Sequence, residues 1–193
     1  MKTIRFRYDQ DKVMNALAFF SRNGVADLDQ MKSSKLLFLA DRAHLLRYGR
    51  TITGDTYVCM EHGPVPSITR DLMNARFADD PDDVSMREYF DVQRSSTYPQ
   101  LIAKHEPDLD VFSDSDIEVL QETVEAYGKK TAWQLRDLTH DFPEIGAALA
   151  ARNAAKRNAI PIPFESFFDP SEPMIDLIRQ DQDDRDFAES MTW

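Results

Sequence analysis

"RYGRTITGDTYVCMEHGPVPS", residues 47–67, holds three of the chain's six glycines and a Pro-Val-Pro. Glycine admits positive φ and proline fixes φ near −65°, so a stretch this rich in both marks a place where the chain changes direction. Within it the apolar period shifts from helical to alternating. Ile52 and then Thr56-Tyr57-Val58-Cys59-Met60 favour β structure, and Gly54-Asp55 between them predicts a β-hairpin over about 51–62. Gly63-Pro64 then ends its second strand. Pro66-Ser67 opens a further helix to about Ala78, with Ser67 as its cap.

The residues before this stretch predict the central element. A helix over about 28–48 carries Met31, Leu36, Leu39, Ala40, Ala43 and Leu46 as a broad apolar stripe. Asp27 caps it with Gln30 three residues on, and Gly49 stands where a left-handed C-terminal residue belongs. An earlier helix, about 10–22, is capped by Asp9 and ended by Asn23-Gly24. Downstream, "ADDPDD" at 78–83 reads as a solvated loop, and "YFDVQ" and "PQLIAKH" as strands of a second hairpin. Ser113 with Asp116, and Thr131 with Gln134, form capping boxes for two helices, and Pro143 opens an Ala-rich third. From Ile160 the character changes. Pro161, Pro163, Pro170 and Pro173 bar a long helix, Phe164, Phe167 and Phe168 offer apolar anchors, and an acidic helix follows from Met174. The fold class expected is α+β and predominantly α-helical, a compact helical domain around the 28–48 helix with the hairpin against it. The expected division is a domain over 1–158 and an extension over 159–193.

Composition narrows the function classes. The 193 residues are 42% hydrophobic and 30% charged, with no apolar run long enough to span a membrane. "MKTIRFRYDQ" has no apolar segment of a secretory signal, and the single Cys59 forms no internal disulfide, so the cytoplasm is the expected compartment. Net charge is −11, split as +4 over residues 1–76 and −15 over 77–193. An acidic surface repels phosphates, which argues against direct nucleic-acid binding.

The residues richest in chemistry are Asp41, His44 and Tyr48, whose i, i+3, i+7 spacing places them on one helical face. The hairpin adds Asp55, Tyr57, Glu61 and His62. Carboxylates and imidazoles suit acid–base or metal chemistry, and one reading makes Asp41, His44 and Asp55 an enzyme site. HExxH, a phosphate loop and a Ser or Cys nucleophile signature are all absent from the sequence. The favoured reading is therefore a polar network that fastens the hairpin to the helix, with no catalytic residue, metal or cofactor. Trp133 reads as core, and His140 as an imidazole at a helix C-terminus.

The stretch "KLLFLADRAHLLRYGRTITGDTYVCMEHGPVPS", 35–67, together with "AWQLRDLTHD" downstream, closely resembles the signature of the Panacea, or SocA-like antitoxin, domain family. The positions that carry it include Lys35, Asp41, His44, Tyr48, Gly49, Arg50, Gly54, Asp55, Tyr57, Gly63, Pro64, Pro66 and Ser67. The resemblance implies a small bacterial, prophage or phage protein that silences a cognate protein toxin by direct contact. In some members it also implies delivery of that toxin to a cellular protease. If one shared domain serves many toxins, the motif residues hold the fold and the variable parts choose the partner. That makes Phe164, Phe167, Phe168, Ile175 and Ile178 the candidate partner contacts, and a homodimer is left open. The acidic 77–193 segment would suit a basic toxin. The alternative is a phage or mobile-element adaptor that binds a host protein without a toxin.

Overall fold

The computed structural model describes residues 3–81, 83–94 and 98–191. At its centre lies α2 (Gln30–Tyr48), in which Leu36, Leu37, Phe38, Leu39, Ala40 and Leu45 are buried together with Lys35, Asp41 and His44. A helix buried on nearly every side needs neighbours all round. They are α1 (Gln10–Arg22), α3 (Ser67–Ala78), α5 (Asp114–Tyr127) and α6 (Ala132–His140), with a small sheet covering the remaining side. The fold is α+β and predominantly helical, as the sequence pattern predicts.

Helix α2 starts later than expected. Its N-cap is Asp29, whose carboxylate accepts the Lys32 N–H at 2.8 Å, while Asp27 sits in the preceding turn at φ 55°. Its C-cap is Gly49 at φ 73°, as read. The cap glycine has a second reason: a Cβ there would lie 3.0 Å from Met174 Sδ on α8 (Met174–Ser190), which crosses above it.

The hairpin is also displaced along the chain. Its strands are β1 (Tyr57–Met60) and β2 (Gly63–Pro66), paired from Tyr57↔Pro66 to Met60↔Gly63, so Gly63-Pro64 opens the second strand instead of closing it. Residues 51–56 run as an irregular segment because the amides of Ile52 and Thr53 are taken by a side chain of α2. Pro64 and Pro66 are tolerated because β2 is an edge strand, in the order β2-β1-β5, with β5 (Ile160–Ile162) on the other side of β1.

The second hairpin forms as read, from β3 (Phe90–Gln93) and β4 (Gln100–Ala103). A short α4 (Ser85–Tyr89) precedes it, too brief to leave a period in the sequence. Leu101 N–H donates to Leu28 O at 2.9 Å, which ties β4 to the chain just before α2. Both capping boxes are present, and Pro143 begins α7 (Pro143–Ala155). Residues after 158 share the sheet and core of those before it. Phe164 packs on Phe6 and Tyr57 with ring centroids 5.1 and 6.4 Å apart, and Phe167 packs on Phe38 at 5.8 Å. Among the described residues no helix is long and apolar enough to cross a membrane.

Gly54 and Gly24 both have positive φ, 69° and 83°, but only Gly54 is crowded: a Cβ there would meet Arg7 O at 1.9 Å, whereas nothing lies within 4 Å of one at Gly24. Gly24→Ala should therefore cost only the left-handed penalty of about 1–2 kcal/mol. Gly54→Ala must also displace the 7–9 segment, and should cost at least about 3 kcal/mol. Chemical denaturation of the two variants checks this; equal losses would contradict it.

Candidate functional site

Asp41 lies on the face of α2 turned to the 51–57 segment, and is 1% exposed. Its Oδ1 accepts the N–H groups of Ile52 and Thr53 at 2.8 and 3.0 Å, and its Oδ2 accepts the hydroxyls of Tyr57, at 2.8 Å, and Thr53. Burial pushes the Asp41 carboxyl up, against the pull of these donors. The Tyr57 phenol is pushed up as well, by burial and by the two aspartates near it.

Asp55 repeats the device on the next element. Its Oδ1 accepts Ile68 N–H at 3.1 Å, and its Oδ2 accepts the Thr69 N–H and hydroxyl at 2.8 and 2.7 Å. These are orphan donors of the first turn of α3, so Asp55 is a cap supplied from a distance. Ser67, read as that cap, is the first helical residue instead, and its N–H goes to Thr56 O at 2.8 Å.

His44 is fully buried with both ring nitrogens facing oxygen. Nδ1 lies 2.8 Å from Arg50 O, so that nitrogen carries the hydrogen; Nε2 lies 3.1 Å from Ser115 Oγ and 3.0 Å from Asp116 Oδ1. Asp116 is a hub, of which the sequence pattern shows only its half of a capping box. Lys12 Nζ reaches its Oδ2 at 2.7 Å, and Arg50 Nη2 its Oδ1 at 2.9 Å. Burial alone would raise this carboxyl, but His44, Lys12, the Ser113 N–H and Arg50 outweigh burial and hold it far below the usual carboxylate range. Tyr48 is at the rim, 40% exposed, with its hydroxyl on Glu118 Oε2 at 2.9 Å.

Lys35 is 1% exposed and donates to Pro64 O at 2.8 Å, which joins α2 to β2. Burial pushes its ammonium down to about 7, helped by Arg136 and opposed by Cys59. Burial also pushes the Cys59 thiol up, away from the reactive thiolate. His140 ends α6 as read; burial, with Arg136 and Lys35 nearby, pushes its imidazole down.

The thirteen motif positions thus fall along α2 and the segments it holds, from the Gly49 cap to the Pro66–Ser67 junction. Phe164, Phe167, Phe168, Ile175 and Ile178 are all buried in the chain's own core, so in this fold they present no surface to a partner. Their apolarity is answered internally by Phe6, Phe38, Tyr57 and the α2 cap. Trp133 departs from expectation in the opposite sense. It is 48% exposed, with its ring 5.3 Å from that of His62. The signal was present: Ala132, Leu135 and Thr139 form the buried stripe of α6, and Trp133 lies off it. Beside it runs a groove of about 400 Å³ over α2, floored by Met31, Lys35, Met60 and Val65. No cluster of three or more His, Cys, Asp or Glu with metal-ligand geometry is found among the described residues.

The family described as antitoxin SocA-like, Panacea domain, matches the chain over residues 34–144, more than half its length. That segment contains α2 from Ser34 onward, both hairpins, α5 and α6. No curated protein and no solved structure matches the chain.

Lys35 yields a pH dependence of defined sign. A lysine held near 7 in the fold but near 10.4 when unfolded binds fewer protons in the native state between those values, so stability rises with pH from about 7 upward. Lys35→Met removes this contribution. Urea denaturation at pH 7, 8 and 9 should show wild type gaining on the variant with each step; a constant difference would contradict the assignment.

Proposed function

The chain belongs to the SocA-like antitoxin family, the Panacea domain, and on that basis we propose that it neutralises a cognate protein toxin by direct binding, without turnover. The family match over residues 34–144 carries this reading. The bonding inside that segment supports it. Asp41, His44 and Asp55, the groups best suited to acid–base work, are turned onto backbone amides, hydroxyls and a neighbouring carboxylate. Such groups fix a shape, and a fixed shape is what a binding module requires.

The charge distribution bears on the partner. Residues 77–193 carry −15, which favours a basic protein over nucleic acid. Contact falls on exposed surface, since Phe164, Phe167, Phe168, Ile175 and Ile178 are engaged inside the fold. A deletion of the extension is for the same reason a poor test: it would strip β5 from the sheet and Phe164 from Tyr57.

Co-expression of the intact chain with the gene beside it in its native locus tests the proposal. The neighbour alone should arrest growth, and the pair should grow and co-purify as a complex. A fall in toxin abundance that depends on a cellular protease would add delivery to that protease. A harmless neighbour that forms no complex contradicts the antitoxin reading and leaves a host-binding adaptor.

A further inference from the structure

Three adjoining depressions form one groove along the N-terminal half of α2. The first, of about 400 Å³, is lined by Met31, Lys35, Met60, His62, Val65 and Arg70 among others. It shares Gln30, Met31 and His62 with a second, of about 300 Å³, that continues to Phe77 and Pro99. The third, of about 320 Å³, shares Asp29, Tyr98 and Trp133 with the second and adds Asp27. The walls come from four places in the sequence: the turn of the first hairpin, α3, the segment just before β4, and the start of α6.

The chemistry of the groove is uneven. At one end the floor is apolar, with Met31, Met60 and Val65. At the other, two large aromatic rings stand in solvent, Trp133 at 48% and Tyr98 at 54% exposure, beside the carboxylates of Asp27 and Asp29. Among the described residues the Asp27 carboxylate accepts Gln100 Nε2 at 3.0 Å, that of Asp29 caps α2, and neither takes part in a salt bridge; the Lys32 charge acts on both, but its ammonium donates to Ala26 O and Gly128 O. Glu61 adds a further negative charge at the hairpin turn. The cations that line the groove are already engaged, Lys35 on Pro64 O and Arg70 on Asp71. Two carboxylates against the single buried Lys32 leave this end net negative, and aromatic faces beside such carboxylates attract a guanidinium or ammonium by ring quadrupole and charge together.

Resting on the antitoxin reading, we propose that this groove docks a basic segment of the partner toxin. An arginine or lysine of that segment lies over Trp133 between Asp27 and Asp29, and an apolar side chain of the same segment fills the pocket over Met31, Met60 and Val65. The partner is thereby specified by chemistry: a short stretch combining a cation with an aliphatic or aromatic anchor. The network around Asp41 and Asp55 gives the groove its rigidity, because α3 and the hairpin are both walls of it and are both held by those carboxylates.

The test uses the intact chain and the product of the adjacent gene, with dissociation constants measured at low and high salt. Four variants are compared: Trp133→Ala, Trp133→Phe, Asp27→Asn with Asp29→Asn, and Glu125→Gln on the exposed side of α5. Asparagine retains the helix cap, so the double variant removes charge while leaving α2 capped. Trp133→Ala should weaken the complex at least tenfold, and Trp133→Phe should largely restore it. The Asn pair should weaken it and flatten its salt dependence, and Glu125→Gln should match wild type. A complex indifferent to all the groove changes overturns this site and leaves the antitoxin reading standing. Groove variants that alter only self-association assign the groove to a second copy of the chain, and overturn it too. Wild type that binds nothing overturns the antitoxin reading and the docking site together.

Discussion

The buried carboxylate of Asp41 is the constraint on which the rest of the structure depends. It sits in a helix buried on nearly every side and collects two backbone amides and two hydroxyls from residues 52–57. Burying a carboxylate is costly unless it is fully hydrogen-bonded. Here the acceptor demand of one side chain meets the donor surplus of a segment with no strand partner of its own. Each of those donors would cost about 1–3 kcal/mol if left buried and unpaired, so chain path and carboxylate hold one another in place.

Other features follow from that clasp. With residues 51–55 fastened to α2, the carbonyl of Thr53 receives the Asp9 N–H at 2.9 Å, and the N-terminal segment passes so close to Gly54 that no side chain fits there. Asp55 then stands where it can cap α3, and Tyr57 starts β1 with its hydroxyl returned to Asp41. Strand β1 in turn accepts β2 and β5, which brings Phe164 and Phe167 onto Tyr57 and Phe38. A separate set of charges around Asp116 binds α1, α2 and α5 about one turn further along the central helix, at His44. The protein is thus held by carboxylates acting at a distance as much as by its apolar core.

That division explains what the sequence discloses. Local signals are legible: the Asp9 cap, both capping boxes, Pro143 at the start of α7 and Gly49 at the end of α2 are where their neighbours in sequence place them. The shared face of Asp41 and His44 is legible too, from helical spacing. The register of the hairpin is not, because a side chain of α2 competes for amides that β propensity assigns to a strand. Asp55 capping α3 through Thr69, and Lys12 meeting Asp116, join residues 14 and 104 positions apart, and no local pattern encodes them. The phenylalanines after 160 show a general ambiguity. Apolar residues ask to be covered, but their spacing does not say whether the cover is the chain itself or a partner.

For a binding module these carboxylate clasps have a functional meaning. The surface beside them, bounded by α3 and the first hairpin, keeps its shape before any partner arrives, so little ordering entropy is lost on binding. Native-state hydrogen exchange of the Ile52, Thr53, Ile68 and Thr69 amides tests this most directly. All four should exchange only through global unfolding, with protection equal to that of the α2 core. Exchange by local opening, with the 51–69 segment released while α2 remains protected, would contradict it.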